Sequence, residues 1–282
     1  MKFDLHSHSH YSDGKHAPEF LIERAIQNGV THLAITDHDC IHALAQYEKN
    51  PPEGLTLING VEISCQWEGL EIHLIGLEID LQSPGLLALL ASQQQRRRHR
   101  IEQIASLIKQ HHKLDLLDYF AALPCVSLTR SHVADFMVEK GLCKNRQKVF
   151  KRYLGKGAKY YIKAQWCSLN EAIGTIQDAG GIAVIAHPSR YPLGTTKLRR
   201  LLSDFANGGG DAMEVSYSNL DSITIGKLAK LCLEFKLWAS VGSDFHTSET
   251  TWLDIGKMPA LPPSCKKNAI WNHPRWHSIS LG

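Results

Sequence analysis

The chain has no Cys-x-x-Cys pair among its seven cysteines and no apolar run approaching ~20 residues. It also has no internal repeat and no low-complexity segment. Each absence removes a class of protein. An odd number of well-separated thiols (Cys40, Cys65, Cys125, Cys143, Cys167, Cys232, Cys265) argues against a disulfide framework and against a thiolate zinc site. Reduced cytosolic thiols are the expectation. No segment reads as a membrane span, and no basic stretch with an apolar core precedes the first motif. A soluble, cytoplasmic protein without a membrane partner or an obligate protein partner is therefore expected. At 282 residues the chain can bury a core sufficient for one barrel of about 200 to 250 residues plus an insertion.

Net charge is scarce too, at +3 for the whole chain, but it is unevenly divided. Residues 96–165 hold 16 Lys and Arg against 5 Asp and Glu, a net of +11, which leaves −8 on the remainder. A basic lobe beside an acidic body suits a polyanionic ligand, because Lys and Arg neutralise phosphates while metal ions cover carboxylates. A solvated helical surface is the plainer alternative.

What is abundant is histidine and acid at the ends of apolar runs. The opening Asp4-Leu5-His6-Ser7-His8-Ser9-His10-Tyr11-Ser12-Asp13-Gly14 follows a short predicted strand. Alternate residues of an extended chain point the same way, so His6 and His8 can face one ion while Asp13 returns from the turn. The pattern recurs at Asp37-His38-Asp39, at Glu62, at His73, at His187-Pro188 and at Asp244-Phe245-His246. Short β-branched runs alternating with helical periodicity imply βα units, whose strand ends converge on one face of a β/α barrel. Asp37 or Asp39 is expected to support a ligand from behind. His10, His16, His32, His42, His111, His112, His273 and His277 match no such position.

Along the chain, strands are expected at Lys2–Leu5, Thr31–Thr36, Leu55–Ile63, Leu70–Ile79, the run to Ala186, Ala212–Ser216 and Leu237–Val241. Helices are expected at Pro18–Gln27, with Phe20, Leu21 and Ile26 inward, and at Ile41–Glu48, Pro84–His112, Ser131–Lys140, Lys144–Leu154, Ala172–Ala179 and Ser222–Phe235. Ser168 and Glu171 have capping-box spacing. Residues 1–95 and 166–282 would form a discontinuous barrel and 96–165 a helical insertion. Pro259–Gly282 reads as an irregular wrap. Tyr160, Tyr161 and Trp166 fit core packing better than base stacking.

Taken as a set, His6-x-His8, Ser12-Asp13-Gly14, Thr36-Asp37-His38, Gly60-Val61-Glu62, His73, Ala186-His187-Pro188 and Gly242-Ser243-Asp244-x-His246 resemble the PHP (polymerase and histidinol phosphatase) phosphoesterases. The resemblance implies an α/β fold, a distorted seven-stranded TIM-like barrel, with three divalent metal ions, Mn²⁺ or else Fe or Zn²⁺. It assigns His6, His8, Glu62 and Asp244 to one ion, Asp13, His38 and His246 to a second, and Glu62, His73 and His187 to a third. Nitrogen-rich ligation without thiolate suits Mn, Fe or Zn better than Mg or Ca.

The insertion is similar to that of family members acting on 3′,5′-nucleoside bisphosphates and on 5′-phosphorylated RNA. Arg97-x-x-Arg100, Thr129-Arg130-Ser131-His132 and Phe150-x-x-Tyr153-Leu154 carry that likeness. Thr129 and Ser131 stand where many relatives have Gly or Pro. By this resemblance Arg97, Arg100, Arg130, His132 and Arg190 bind substrate phosphate. A metal-activated water, with no separate protein nucleophile, would cleave the P–O3′ bond. Three alternatives stay open: a phosphatase for a small ester such as histidinol phosphate, a nucleic-acid-binding module with a vestigial metal site, and an amidohydrolase-type enzyme.

Overall fold

A computed structural model describes residues 1–250 and 252–277. Among the described residues there are eight strands: β1 (Phe3–Asp4), β2 (His32–Ile35), β3 (Thr56–Trp67), β4 (Leu70–Leu77), β5 (Cys167–Ser168), β6 (Ile182–Ile185), β7 (Ala212–Tyr217) and β8 (Trp238–Gly242). Seven of them run in the order β1-β2-β3-β4-β6-β7-β8, with β5 paired to the outer end of β3. The Leu5 N–H donates to the Val241 carbonyl at 3.1 Å, and Ser7 bridges Phe245, so the two edges meet. The result is a nearly closed barrel of the expected α/β class. Its distortion comes from β4, which runs antiparallel to both β3 and β6, while the remaining neighbours in the circuit are parallel.

Side-chain alternation along the strands sorts the core. Ala34, Ile58, Ile75, Val184, Ala212 and Val241 point into the barrel, where Ile270 and Trp276 of the tail join them. Leu33, Ile35, Ile63, Ile185, Met213 and Val215 point outward onto the helices. Those helices are α1 (Pro18–Gln27), the first part of α2 (Pro84–His112), α6 (Leu169–Asp178), α7 (Thr195–Asn207) and α8 (Ser222–Glu234). A separate cluster holds Ile101, Ile104 and Ile108 of α2 against α3 (Leu117–Ala121), α4 (Arg130–Glu139) and α5 (Arg146–Val149). Helix α2 thus lends one end to each core.

Several expectations are corrected. Ile41–Glu48 forms successive turns, with Leu44 N–H to Ile41 O at 3.0 Å and Tyr47 N–H to Leu44 O at 2.9 Å, instead of a helix. On α1 Leu21 and the half-buried Phe20 pack inward as expected, joined by Ile22 and Ala25, but Ile26 faces solvent. Strand β3 does not stop at Ile63 but continues to Trp67 as a hairpin with β4. Lys144–Leu154 splits into α5 and a π-helical turn, Phe150–Leu154, closed by Gly155 N–H to Phe150 O at 2.7 Å. Helix α7 was not anticipated. It begins at Gly194 with no side-chain cap and no acid in its first turn, so start signals are missing, although Leu198, Leu201, Leu202 and Phe205 keep helical spacing. The tail from residue 259 has short helical turns at Pro263–Cys265 and Ile270–Asn272, and Trp271 stacks on Phe3 with ring centroids 4.2 Å apart. Residues 278–282 of that tail lie outside the described residues.

Candidate metal centre and anion pocket

One rim of the barrel collects all nine candidate ligands. His6 and His8 follow β1, His38 follows β2, His187 follows β6, and Asp244 and His246 follow β8. Because β4 is reversed, its early residue His73 reaches the same rim and pairs in register with Ser64, two residues along β3 from Glu62 and on the same face. The long β3–β4 hairpin therefore supplies Glu62 and His73 from within strands, in keeping with the strands expected at Leu55–Ile63 and Leu70–Ile79, whereas the other ligand candidates follow strand ends. Asp13 comes from the turn after His8, whose tightness requires Gly14: a Cβ there would lie 2.1 Å from the His8 carbonyl oxygen.

Donor atoms converge in four overlapping groups: His8, Asp13, His38 and His246; His6, Glu62 and His187; His6, His8 and Asp244; His38, Glu62 and His73. The members match the nine residues, but the grouping is more shared than the three sets implied by the resemblance, with His8 also facing Asp13 and His38 also facing Glu62. Glu62 is the hub. Its Oε1 lies 3.0 Å from His73 Nδ1 and 3.1 Å from His187 Nε2, and its Oε2 lies 2.9 Å from His38 Nδ1 and 3.3 Å from His8 Nε2. His6 Nε2 and His8 Nε2 stand 3.1 Å apart. Ligands around one ion place their donor atoms about 3 Å apart, so these separations suit cations at the centre.

The donor set also passes a chemical test. Asp13 Oδ1, His38 Nδ1 and Glu62 Oε2 are buried without a well-formed hydrogen bond, although His38 Nδ1 and Glu62 Oε2 are within ion-pair distance of each other and Asp13 Oδ1 lies 3.3 Å from His246 Nε2. Buried polar atoms left unsatisfied are rare and call for a ligand. Burial raises the pKa of Asp13, Glu62 and Asp244, yet the surrounding imidazoles hold all three well below the ordinary carboxylate range. Burial lowers His73 and His246, but Glu62 lifts the first to about 10 and Asp13 with Asp244 the second to about 9. His8 moves oppositely, to about 3, through burial and the neighbouring His246 and His38. Such a centre attracts positive charge, whether protons or metal ions.

Surrounding groups fix the candidate ligands. His6 Nδ1 meets Glu214 Oε1 at 2.9 Å, and the His187 N–H donates to Glu214 Oε2 at 2.5 Å. Asp37 accepts from Ser9 N–H at 2.8 Å and Ser12 Oγ–H at 2.6 Å, and Ser12 Oγ lies 3.4 Å from His8 Nδ1. Asp4 accepts from Ser243 N–H and Gly256 N–H, each at 2.7 Å, across the barrel seam. Gly242 is needed because a Cβ there would meet His6 Cβ at 2.3 Å. His187 and Asp244 adopt positive φ of 31° and 53°, an uncommon conformation that concentrates at functional sites. Sequence reasoning missed Glu214 and Asp4. An acid inside an apolar strand was the available signal in both.

Beside the centre opens a pocket of about 160 Å³ lined by Asp13, His38 and His73 on one side and by Arg97, Arg100, Arg130, Phe150 and Trp166 on the other. The five expected phosphate contacts differ in availability. Arg97 is buried and committed, donating to Asp39 at 2.7 Å and Ser64 Oγ at 2.7 Å. Arg100 donates through Nε to the Ile162 carbonyl at 3.0 Å but keeps a buried Nη2 with no partner. Arg130 has a long contact, 3.5 Å, to Glu71. His132 Nδ1 accepts from Thr129 N–H at 3.0 Å, completing the cap of α4, while Thr129 Oγ1–H reaches Asp13 at 3.2 Å. Arg190 sits away from this pocket and pairs with Asp244. Trp166 lies under Arg97 and Arg100, whose guanidinium carbons are 4.9 and 5.7 Å from its ring centroid. Glu71 is a further pocket residue that sequence reasoning left out. Burial raises its pKa, but His73, Arg130 and Arg100 outweigh that and keep it ionised.

Comparison with known proteins agrees with this geometry. The PHP domain family matches residues 4–167. The 5′-3′ exoribonuclease Rnm of Escherichia coli is 40% identical over 278 residues, covering 97% of this chain and 94% of that protein. The 3′,5′-nucleoside bisphosphate phosphatase of Chromobacterium violaceum is 38% identical over 272 residues, covering 95% and 94%. A solved structure from Chromobacterium violaceum, described as an amidohydrolase with bound sulfate and no metal, superposes with a TM-score of 0.88 at 37% identity, covering 96% of this chain and 95% of that one. A histidine-and-carboxylate rim on a seven-strand circuit, and relatives alike over nearly their whole length, lead to one assignment: the chain belongs to the PHP domain family of metal-dependent phosphoesterases.

Proposed function

We propose that the protein cleaves the P–O3′ bond of 5′-phosphorylated nucleotides, as a 3′-phosphatase on 3′,5′-nucleoside bisphosphates and a 5′-to-3′ exoribonuclease on 5′-phosphorylated RNA. The observation that carries this reading is the single pocket shared by the candidate metal centre and by Arg100 and Arg130. A ligand filling it touches a metal rim at one end and guanidinium at the other, as a nucleotide with phosphates on both sugar ends would.

In this reading residues 96–165 form the substrate-binding lobe, and His6, His8, Asp13, His38, Glu62, His73, His187, Asp244 and His246 hold three divalent ions, Mn²⁺ by preference. Bound ions supply Lewis acidity toward phosphoryl oxygens and an activated water. The chain's residues do the rest. Arg100, through its unpartnered Nη2, and Arg130 take the 5′-phosphate in charge-assisted hydrogen bonds. Arg97, clamped to Asp39, and His132, in the α4 cap, brace the two walls. Arg190 neutralises Asp244 at the opposite edge. The fixed distance between anchor and rim selects the first 3′-linkage, so one nucleotide leaves per event. No helix among the described residues is long and apolar enough to cross a membrane, and all seven cysteines are free thiols, which fits work in the cytoplasm.

The test is hydrolysis, with Mn²⁺ added, of adenosine 3′,5′-bisphosphate, a short 5′-phosphorylated RNA and the same RNA with a 5′-hydroxyl. Turnover of the first two alone is expected. Cleavage of histidinol phosphate with none of the three would overturn the nucleotide assignment and leave the phosphoesterase.

A further inference from the structure

Glu71 is out of character with its surroundings. Among the described residues lining the anion pocket, the carboxylates are Asp13, which belongs to the candidate metal centre, and Glu71, which does not. A carboxylate repels phosphate and only accepts hydrogen bonds, so its place there calls for a donor on the ligand. Its own contacts leave it free to accept one. Oε2 is 3.5 Å from Arg130 Nη2 and 3.6 Å from Arg100 Nη1, and Oε1 is 3.7 Å from His73 Nε2. All three are long for hydrogen bonds, and the side chain is 28% exposed.

Its position narrows the donor. Glu71 and His73 are two apart on β4 and share a face, so the carboxylate stands between the metal rim and the two arginines. That interval is where the sugar of a nucleotide lies if its 3′-phosphate meets the rim and its 5′-phosphate the arginines. With both ester oxygens substituted, the sugar of a ribonucleoside 3′,5′-bisphosphate has one donor left, the 2′-hydroxyl. Resting on the P–O3′ reading above, we propose that Glu71 accepts a hydrogen bond from the ribose 2′-hydroxyl and sets a preference for ribonucleotides over 2′-deoxyribonucleotides.

The test uses the full, Mn²⁺-loaded chain, parent and Glu71→Met, with Glu71→Gln as the conservative variant. Adenosine 3′,5′-bisphosphate, its 2′-deoxy counterpart and uridine 3′,5′-bisphosphate are compared by kcat/KM. The parent should favour ribose by about 10- to 100-fold, the span of one hydrogen bond to a charged acceptor. Glu71→Met should bring the ratio near one, and Glu71→Gln, which keeps an amide acceptor, should retain part of it. A residue that merely props the arginines would slow both sugars alike and leave the ratio unchanged, which overturns the proposal. A change that follows adenine against uracil overturns it as well, because the donor is then on the base. If the methionine variant turns over nothing, its relative affinity for adenosine and 2′-deoxyadenosine 5′-monophosphates, read by calorimetry, decides on the same ratio. A parent that cleaves neither sugar removes the P–O3′ reading and this inference together. A parent that cleaves both equally removes this inference alone.

Discussion

Arg100→Met separates an anchor from a structural arginine. In the folded chain the Arg100 side chain is 7% exposed, its Nη2 has no partner, and burial beside Arg130 lowers its pKa to about 10. A buried unsatisfied donor costs about 1 to 3 kcal/mol. Methionine has similar length and no donor, so the substitution removes that penalty while losing the bond to the Ile162 carbonyl, 3.0 Å long and worth about 1 kcal/mol. The two changes nearly cancel, as they often do when a buried ion gives way to an apolar side chain. Stability should therefore stay within about 1 kcal/mol, a Tm change of about 2 to 4 °C. Binding behaves differently. A phosphate that satisfies Nη2 gains a charge-assisted bond of about 1.5 to 3 kcal/mol, equivalent to roughly 10- to 150-fold in kcat/KM. The assay pairs thermal denaturation and kcat/KM on 5′-phosphorylated RNA with equilibrium binding of 5′-phosphorylated and 5′-hydroxyl RNA, the second of which is not turned over. Loss confined to the 5′-phosphorylated end, at near-parental Tm, is expected. Equal loss on both ends, or a Tm drop near 10 °C, would show that Arg100 holds the lobe together and does not read the phosphate.

Glu62→Gln removes the negative charge and one of the two acceptor oxygens at the hub of the cluster, and it should abolish turnover and lower metal content measured by elemental analysis; full activity with parental metal content would remove Glu62 from the centre. Glu214→Gln, which disturbs the partner of His6 Nδ1, should weaken metal binding by roughly 10- to 100-fold in a chelator-competition titration. Loading with Mn²⁺ at 100 times its Kd should stabilise the chain by about 2.7 kcal/mol, seen as a Tm rise of about 5 to 10 °C. A fourth expectation concerns acid. Burial raises Asp211, but hydrogen bonds from His273, the Ala183 N–H and Arg275 bring its folded pKa below the usual carboxylate value. Its contribution is thus fully present above the unfolded carboxylate pKa and disappears as pH falls through the lower, folded one. Asp211→Asn should flatten that part of the acid limb of a Tm-versus-pH curve, and a limb of unchanged slope would contradict the assignment.

Local periodicity made α1 and α2 legible to the residue, and the Ser168–Glu171 capping box is formed with both of its hydrogen bonds. The histidines and acids of the rim were legible because each follows or interrupts an apolar run. Their sharing was not, since it depends on the reversed direction of β4, and direction leaves no mark on alternation. Nor could charge counting tell Arg97 from Arg100. They are one helical turn apart on α2, and only the folded chain shows Asp39 occupying one and leaving the other a free N–H. Helix α7 escaped because a helix made stable by its packing face needs no cap.

The seam between β1 and β8 also has a bearing on synthesis. Asp4 and Ser243 are bonded across 239 positions, and His6, His8 and Asp13 await Asp244 and His246 from the far end of the chain. At about 5 to 20 residues per second, a nascent chain has already displayed its first histidines for many seconds before the last two donors leave the ribosome. During that interval the rim is an open crescent with surplus imidazole and an incomplete complement of carboxylate. Barrel closure and completion of the candidate metal rim are consequently a single event, because both wait for the segment that carries Asp244 and His246.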